Sequence, residues 1–448
     1  MPARPRLARR RPERTVRGPP ARVLIARAFV RGRLQPVEIA VNDEGRIDRI
    51  ARDIPGGERM DLGERILLPA ATDLHVHFRE PAEPGGVEDF RSGTEGALLG
   101  GVTTVGEMPN GPVPTDSVAR IRAKADRAER RLACDAVLYA GVHAGVDVAR
   151  LGAVAGAFKL YLSPTPGIDD VPDDALLARA LGEVAATGLG LTVHAEDPRR
   201  FRPPVPPASL RRWADERPPA AEAAAVDRIL AAAPPALRLH VAHVSTAATA
   251  ARLAAAGHSF EVAPHHVLLS ADDAADTRRK VNPPLRPEAE RAALWAALAD
   301  GHVPIVASDH APHPTTAKER PFPDAPSGMP GVETMLPLLL EQVRGGKLRF
   351  DRLLAMACDR PARWFGLPHG RLVVGEEAHL IAVDFRRRTR IEAARLRSPS
   401  GWSAFEGWPA IVPTHHFRFG APVVTDGEFS GSLTGRIVRP DYAPRAGS

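Results

Sequence analysis

Eight short apolar runs between residues 71 and 310 each close on polar side chains. They read ATDLHVHF (71–78), GVTTVGEMP (101–109), DAVLYAG (135–141), AFKLYL (157–162), LGLTVHAE (189–196), LRLHVAHVS (237–245), HSFEVAPHH (258–266) and VPIVASDH (303–310). Ala- and Leu-rich stretches of helical character lie between them, such as SVARIRAKADRAERRLA (117–133) and EAERAALWAALAD (288–300). Strand-like and helix-like segments in eight alternations point to an α/β fold, a (β/α)8 TIM-like barrel. A doubly wound open sheet would share the alternation. Polar residues recur at the C-terminal end of almost every run, which favours the barrel, because that rim is where a barrel carries its chemistry.

The flanks read differently. RVLIARAFV (22–30) and VEIAVNDEGRIDRIA (37–51) are short strands, the second interrupted by a turn at NDEG; LVVGEEAHLIAVDF (372–385) and APVVTDGEFSGSLTGRIV (421–438) repeat that character near the other end. Residues 22–66 and 368–448 are therefore expected to form one composite β module, with the barrel occupying 67–367. Residues 1–22 hold eight arginines against one glutamate, so this segment accounts for the net charge of +6 and leaves the rest of the 448-residue chain near neutral. Nucleic-acid binding needs basic residues clustered on the folded body, and the remainder offers no such cluster. The Arg- and Pro-rich residues 1–21 are expected to be disordered. No apolar run approaches the roughly 20 residues that span a bilayer, and the N-terminus lacks the apolar core of a signal peptide, so no membrane partner and a cytoplasmic location are expected. The two cysteines, Cys134 and Cys358, argue against a disulfide scaffold or a thiolate metal site.

The polar strand ends carry the chemistry. Side chains two apart on a strand share a face, so Asp73, His75 and His77 should point into the barrel while Leu74, Val76 and Phe78 face the helices. Paired imidazoles at a barrel mouth can hold a metal ion. His194, His243 and Asp309 end three further runs, and each is a good ligand for zinc or a similar ion. Lys159 shares its face with Tyr161, opposite Phe158, Leu160 and Leu162. A lysine inside a barrel loses hydration, its pKa falls, and the neutral amine can add carbon dioxide to give a carbamate able to bridge two metals. Two divalent ions balanced by Asp309, a carbamate and a hydroxide leave the site positive, with Arg79 adjacent, which favours an anionic substrate. Two metals acidify a shared water and polarise a carbonyl, so the natural reaction is amide hydrolysis or its reverse.

Nine stretches extend this reading: DLHVHFREP, EDFRSGTEGALLGGVTTVGEMPN, FKLYLSPT, VHAE, HVAHVSTA, EVAPHHVLLS, KVNPPLR, ASDHAPH and SGMPGVETMLPLLL. In this order they resemble the amidohydrolase superfamily, and within it the dihydroorotases of the type found in the animal multifunctional pyrimidine enzyme. The resemblance implies reversible cyclisation of N-carbamoyl-L-aspartate to L-dihydroorotate, a step of pyrimidine biosynthesis, by a metal-bridging hydroxide. It implies His75 and His77 as ligands of one divalent ion, with zinc the default, and His194 and His243 as ligands of a second. Lys159 is implied as the carbamylated bridge and Asp309 as both ligand and proton shuttle. Arg79 and Asn110 would grip the substrate carboxylate, Asn282 the ring, and His313 would complete the site. Thr165 would sit on a loop that closes over the substrate. A homodimer, with aspartate carbamoyltransferase as a possible partner, is also implied. His265, His266 and Glu261 carry no settled role, His240 reads as structural, and His143 has none assigned. Two other readings stay open: a related cyclic amidase such as an allantoinase or dihydropyrimidinase, and a non-catalytic partner of the carbamoyltransferase.

Overall fold

The computed structural model describes residues 20–441, apart from 31, 81–86, 112, 207 and 275. The expected disorder of the tail therefore falls, but for its last two residues, outside the described chain. Four strands open it: β1 (Arg22–Val30), β2 (Arg33–Val41), β3 (Ile47–Ala51) and β4 (Glu58–Pro69). The β2–β3 turn falls at NDEG as expected. Asn42 Oδ1 accepts the backbone N–H of Glu44 at 3.2 Å and of Arg46 at 2.8 Å. Gly45 sits there at φ 74°, and a Cβ on it would meet the Phe419 side chain at 2.4 Å.

β4 leads through Ala70 directly into the barrel. Its strands are β5 (Ala71–Val76), β6 (Val102–Glu107), β7 (Asp135–Val142), β8 (Ala157–Tyr161), β9 (Gly190–His194), β10 (Arg238–Val241), β11 (Ser259–Val262) and β12 (Ile305–Val306). They neighbour one another in this order, all parallel. A parallel bridge between Val76 and His310 joins the first strand to the last, with His77 N–H donating to the His310 carbonyl at 2.7 Å. The sheet is thus closed into the (β/α)8 barrel.

The chain then returns to the first sheet with β13 (Leu380–Val383), makes a two-stranded excursion of β14 (Thr389–Arg390) and β15 (Pro409–Ala410), and ends in β16 (His415–Arg418), β17 (Ala421–Thr425) and β18 (Glu428–Phe429). The strand order β18-β17-β16-β13-β4-β1-β2-β3 makes one sheet from both ends of the chain. The excursion does not stay with that sheet. Trp402 and Phe405 pack with Val281, Leu285 and Met329 of the barrel loops, and Trp402 Nε1 donates to the His313 carbonyl at 2.8 Å.

One inward–outward assignment differs from strict alternation. Val76 and Phe78 join the core between strands and helices, as expected, but Leu74 packs with Met108, Tyr139, Ile305 and Ala307. The β5–β6 pairing slips between Asp73 and Val76, and a bulge interrupts the period-two pattern at that point. Phe78, between His77 and Arg79, is fixed by the helix Phe90–Leu99. It meets Phe90 edge-on with ring centroids 6.5 Å apart, and a Cβ on Gly93 would come within 2.3 Å of its ring. Asp89 caps that helix through the Ser92 N–H at 2.8 Å.

The composite sheet is tied to the barrel by buried charge. Arg418 of β16 donates to Asp135 Oδ1 and to the Ala133 carbonyl, both at 2.6 Å, and Arg418 and Asp135 are both buried. Removing Arg418 would leave the buried Asp135 charge with only the Arg436 backbone N–H at 2.8 Å and the half-exposed Arg436 guanidinium at 3.9 Å. Arg418→Met is expected to cost about 3–5 kcal/mol of stability, read as a lower urea midpoint.

Candidate active site

The C-terminal ends of the barrel strands converge on one cavity of about 240 Å³. His75, His77, His194, His243 and Asp309 line it, together with Arg79, Asn110, Thr165, Asn282 and His313. Lys159 is fully buried behind these, with Nζ 3.4 Å from His75 Nε2. Every residue singled out from the sequence as a metal or substrate contact therefore lies at this one place. His143 does not; it pairs with Asp116 at 3.2 Å, outside the cavity lining.

Backbone geometry aims several of these side chains. Arg79, His243 and Asp309 have φ of 58°, 36° and 48°, in the left-handed region that non-glycine residues avoid at a cost of about 1–3 kcal/mol. Each lies just past the end of a barrel strand, where such a conformation turns the chain sharply. The surrounding hydrogen bonds hold the turn. Ser308 N–H and His75 N–H both donate to Asp73 Oδ1, at 3.0 and 3.1 Å.

The donors form two adjoining sets. His75 Nε2 and His77 Nε2 are 3.2 Å apart, and Asp309 Oδ1 lies 3.3 Å from the first and 3.4 Å from the second. His194 Nδ1 is 3.0 Å from His243 Nε2, and the His75 and His243 ring centroids are 5.2 Å apart. Burial pushes His75 down to about 4, holds His77 and His243 well below the usual imidazole value, and lowers His194. Neutral rings present lone pairs, and lone pairs converging beside a carboxylate are what a divalent cation requires. The residues present fit a metal centre. Burial also brings the Lys159 amine down to about 8 and raises the Asp309 carboxyl. Among the described residues Lys159 makes no ion pair within 4.0 Å.

Behind the donors stand groups whose roles the sequence left open or did not show. Glu261 Oε1 lies 2.5 Å from His75 Nδ1, and its Oε2 lies 3.0 Å from His240 Nε2. Glu196 Oε2 lies 3.0 Å from His194 Nε2 and 2.5 Å from an Arg217 nitrogen. Burial opposes ionisation of Glu196, but Arg217 and His194 outweigh it and hold the carboxyl below its usual range. Glu196 follows His194 by two residues, a spacing visible in the sequence; Arg217, on another segment, gave no local signal. His265 Nε2 reaches to 4.0 Å from Asp309 Oδ2, while His266 bonds the Pro283 carbonyl at 2.9 Å beside Asn282.

The rest of the lining carries a guanidinium, an imidazole and two amides. Arg79 donates to the Pro312 carbonyl at 3.3 Å, and a terminal guanidinium nitrogen lies 3.3 Å from His313 Nε2. His313 is lowered to about 3 by burial and by Arg79, so it faces the cavity neutral. Asn110 Nδ2 donates to Thr165 Oγ1 at 3.1 Å, and its Oδ1 accepts from Tyr161 Oη at 2.8 Å. Trp213 Nε1 donates to Asn282 Oδ1 at 3.1 Å. Both asparagines thus have their oxygens engaged, which leaves amide N–H groups for the cavity.

No family model matches the chain. It is 36% identical over 430 residues to a dihydroorotase of Halobacterium salinarum, covering 93% of this chain and 100% of that one. The chain belongs to the dihydroorotase family. A dihydroorotase of Methanosarcina acetivorans is 32% identical over 418 residues, 87% of this chain and 88% of that protein. Among solved structures, an L-hydantoinase (dihydropyrimidinase) from Arthrobacter aurescens superposes with a TM-score of 0.86 at 27% identity, covering 93% of this chain and 99% of that chain. A D-hydantoinase with TM-score 0.83 is 22% identical and shares the fold. The chain is accordingly a hydrolytic enzyme of the amidohydrolase superfamily that acts on cyclic amides.

Tyr161 deserves a direct test, because its hydroxyl fixes the Asn110 amide. Tyr161→Phe is expected to leave metal content unchanged and to raise KM roughly 5- to 10-fold, the worth of one lost buried hydrogen bond, measured by steady-state kinetics beside metal analysis.

Proposed function

We propose that this chain catalyses the reversible cyclisation of N-carbamoyl-L-aspartate to L-dihydroorotate. The observation that carries the reading is one cavity in which a cationic and amide wall, Arg79 with Asn110, Asn282 and His313, faces the group of His75, His77 and Asp309. A cyclic amide bearing a carboxylate suits that pairing. Its carboxylate meets the guanidinium fork, which brings the ring amide toward the donors.

His75 and His77 would hold one divalent ion and His194 and His243 a second, with Asp309 and a carbamylated Lys159 completing the set; zinc suits these ligands. Bound there, the ions would supply Lewis acidity toward the amide carbonyl and toward water. Asp309 takes the proton of the attacking water and passes it to the ring nitrogen as the carbon–nitrogen bond breaks. In the cyclising direction it takes that proton from the carbamoyl nitrogen and returns it to the departing water. Arg79, Asn110 and His313 orient the carboxylate, Asn282 contacts the ring, and Thr165, hydrogen-bonded to Asn110, lies on the loop that covers the bound molecule. A buried lysine without an ion pair supports the carbamate, whose charge two metals would balance. Homodimer formation, association with aspartate carbamoyltransferase and a cytoplasmic location complete the proposal and rest on the family alone. Among the described residues no helix is long and apolar enough to cross a membrane.

The hydantoinase likeness favours one competing substrate class, cyclic amides without a carboxylate. Turnover of L-dihydroorotate by the purified chain, with metal content on the same sample, decides between them. Rapid ring opening with weak action on dihydrouracil and allantoin is expected; the reverse preference would overturn the proposal. Asp309→Asn is expected to lower kcat by about 10²–10⁴, the usual worth of a positioned acid–base group. Arg79→Met should raise KM for dihydroorotate about 10- to 100-fold, as expected for a charged hydrogen bond, and leave the rate on dihydrouracil little changed.

A further inference from the structure

Glu261 is the only carboxylate on β11, and it is buried with no lysine or arginine within ion-pair distance among the described residues. A buried anion is costly unless hydrogen bonds satisfy it. Here two imidazoles do so, His75 Nδ1 at 2.5 Å and His240 Nε2 at 3.0 Å. His240 is held in turn, its Nδ1 lying 2.8 Å from Ser259 Oγ. Its ring lies against Trp364 with centroids 5.1 Å apart. Ser259, His240, Glu261 and His75 thus form one continuous chain of hydrogen bonds from β10 and β11 across the barrel interior to β5. A carboxylate can only accept, so both imidazoles must present N–H to it.

The other donors lack this arrangement. Glu196, which stands behind His194, is shared with the Arg217 guanidinium and so has less charge to lend. The outer ring nitrogen of His243, Nδ1, is buried without a hydrogen-bond partner.

We propose that Glu261 is a positioning residue for the metal centre: clamped between His240 and His75, it fixes His75 as the Nδ1–H tautomer and makes Nε2 of His75 a strong donor toward the metal. A carboxylate on the far nitrogen of a ligating imidazole orients the ring and raises its basicity, and losing it commonly costs 10- to 100-fold in metal affinity. The inference rests on the reading of His75 as a ligand. It gives His240 a function as well, as the group that holds Glu261 in place.

Zinc is the probe. The full-length chain is stripped of metal and zinc rebinding is followed by competition with a chromophoric chelator, for wild type and Glu261→Gln, with circular dichroism on the same samples. The expected result is an unchanged spectrum with zinc affinity lower by about 10- to 100-fold, and a fall in kcat at unchanged KM. Wild-type zinc affinity in a folded Glu261→Gln chain would overturn the proposal. Should that variant not fold, the wild type decides alone. In metal-free protein labelled with ¹⁵N-histidine, the His75 signal, assigned by its loss in His75→Asn, is expected as the Nδ1–H tautomer; an Nε2–H tautomer would overturn it. Neither the zinc titration nor the tautomer assignment uses substrate. A chain that shows both effects yet leaves dihydroorotate intact would remove the substrate reading and leave this one standing.

Discussion

The seam where β5 meets the last barrel strand holds the catalytic end of the molecule in register. It is narrow, because β12 is only two residues long. Beyond it the contact runs through His77 N–H to the His310 carbonyl and Ser308 N–H to Asp73 Oδ1. Those bonds place His75 and His77 opposite Asp309, on segments more than two hundred residues apart in sequence. An open doubly wound sheet would leave these two strand ends at opposite edges. Closure is therefore a condition of the site as well as of the fold. Glu88 supports the seam from outside by accepting from His310, whose other ring nitrogen accepts the Gly331 N–H at 3.0 Å.

Closing a barrel around imidazoles and carboxylates buries groups that favour water. The cost is met by pairing nearly every one of them. Glu261 meets two imidazoles, Glu196 meets an imidazole and a guanidinium, and Asp73 accepts two backbone N–H groups. Lys159 has no ion pair within 4.0 Å among the described residues, and burial lowers its pKa. The same low-dielectric interior that makes an unpaired ammonium unfavourable would strengthen any anion–metal contact formed there. Structure and chemistry are thus linked through desolvation: a buried amine without an ion pair is held toward its neutral, nucleophilic form.

Much of this was legible in the sequence. Eight apolar runs with polar ends fixed the barrel, and period-two spacing put His75 beside His77 and Lys159 beside Tyr161 on one face. What local pattern could not show is where periodicity breaks or distant segments meet. Leu74 points inward because a bulge follows Asp73, and a bulge depends on the neighbouring strand as much as on its own residues. Arg217 reaches Glu196 from a separate helix–loop segment. Trp402 braces His313 from a stretch whose sequence reads as part of the terminal module. Each is a tertiary contact with no periodic signature.

The fold alone does not choose a substrate. A hydantoinase superposes over almost the full length of this chain, so the scaffold tolerates different cyclic amides, and selection must come from side chains beyond the strand ends. Those side chains are held here by backbone turns and by neighbouring side chains. Arg79 pays for its position with a left-handed backbone, and Phe78, wedged against Gly93 and Phe90, prevents relaxation of the turn. Asn110 and Asn282 each have the amide oxygen tied down by an aromatic donor, Tyr161 and Trp213. A pre-oriented set of N–H groups would bind an anion with little reorganisation. On the proposed reading, a carboxylate-free ring would forgo the charge-assisted hydrogen bond to Arg79, worth about 1.5–3 kcal/mol. On that reading, specificity for a carboxylate-bearing ring would reside in the hydrogen bonds that hold these groups before any substrate arrives.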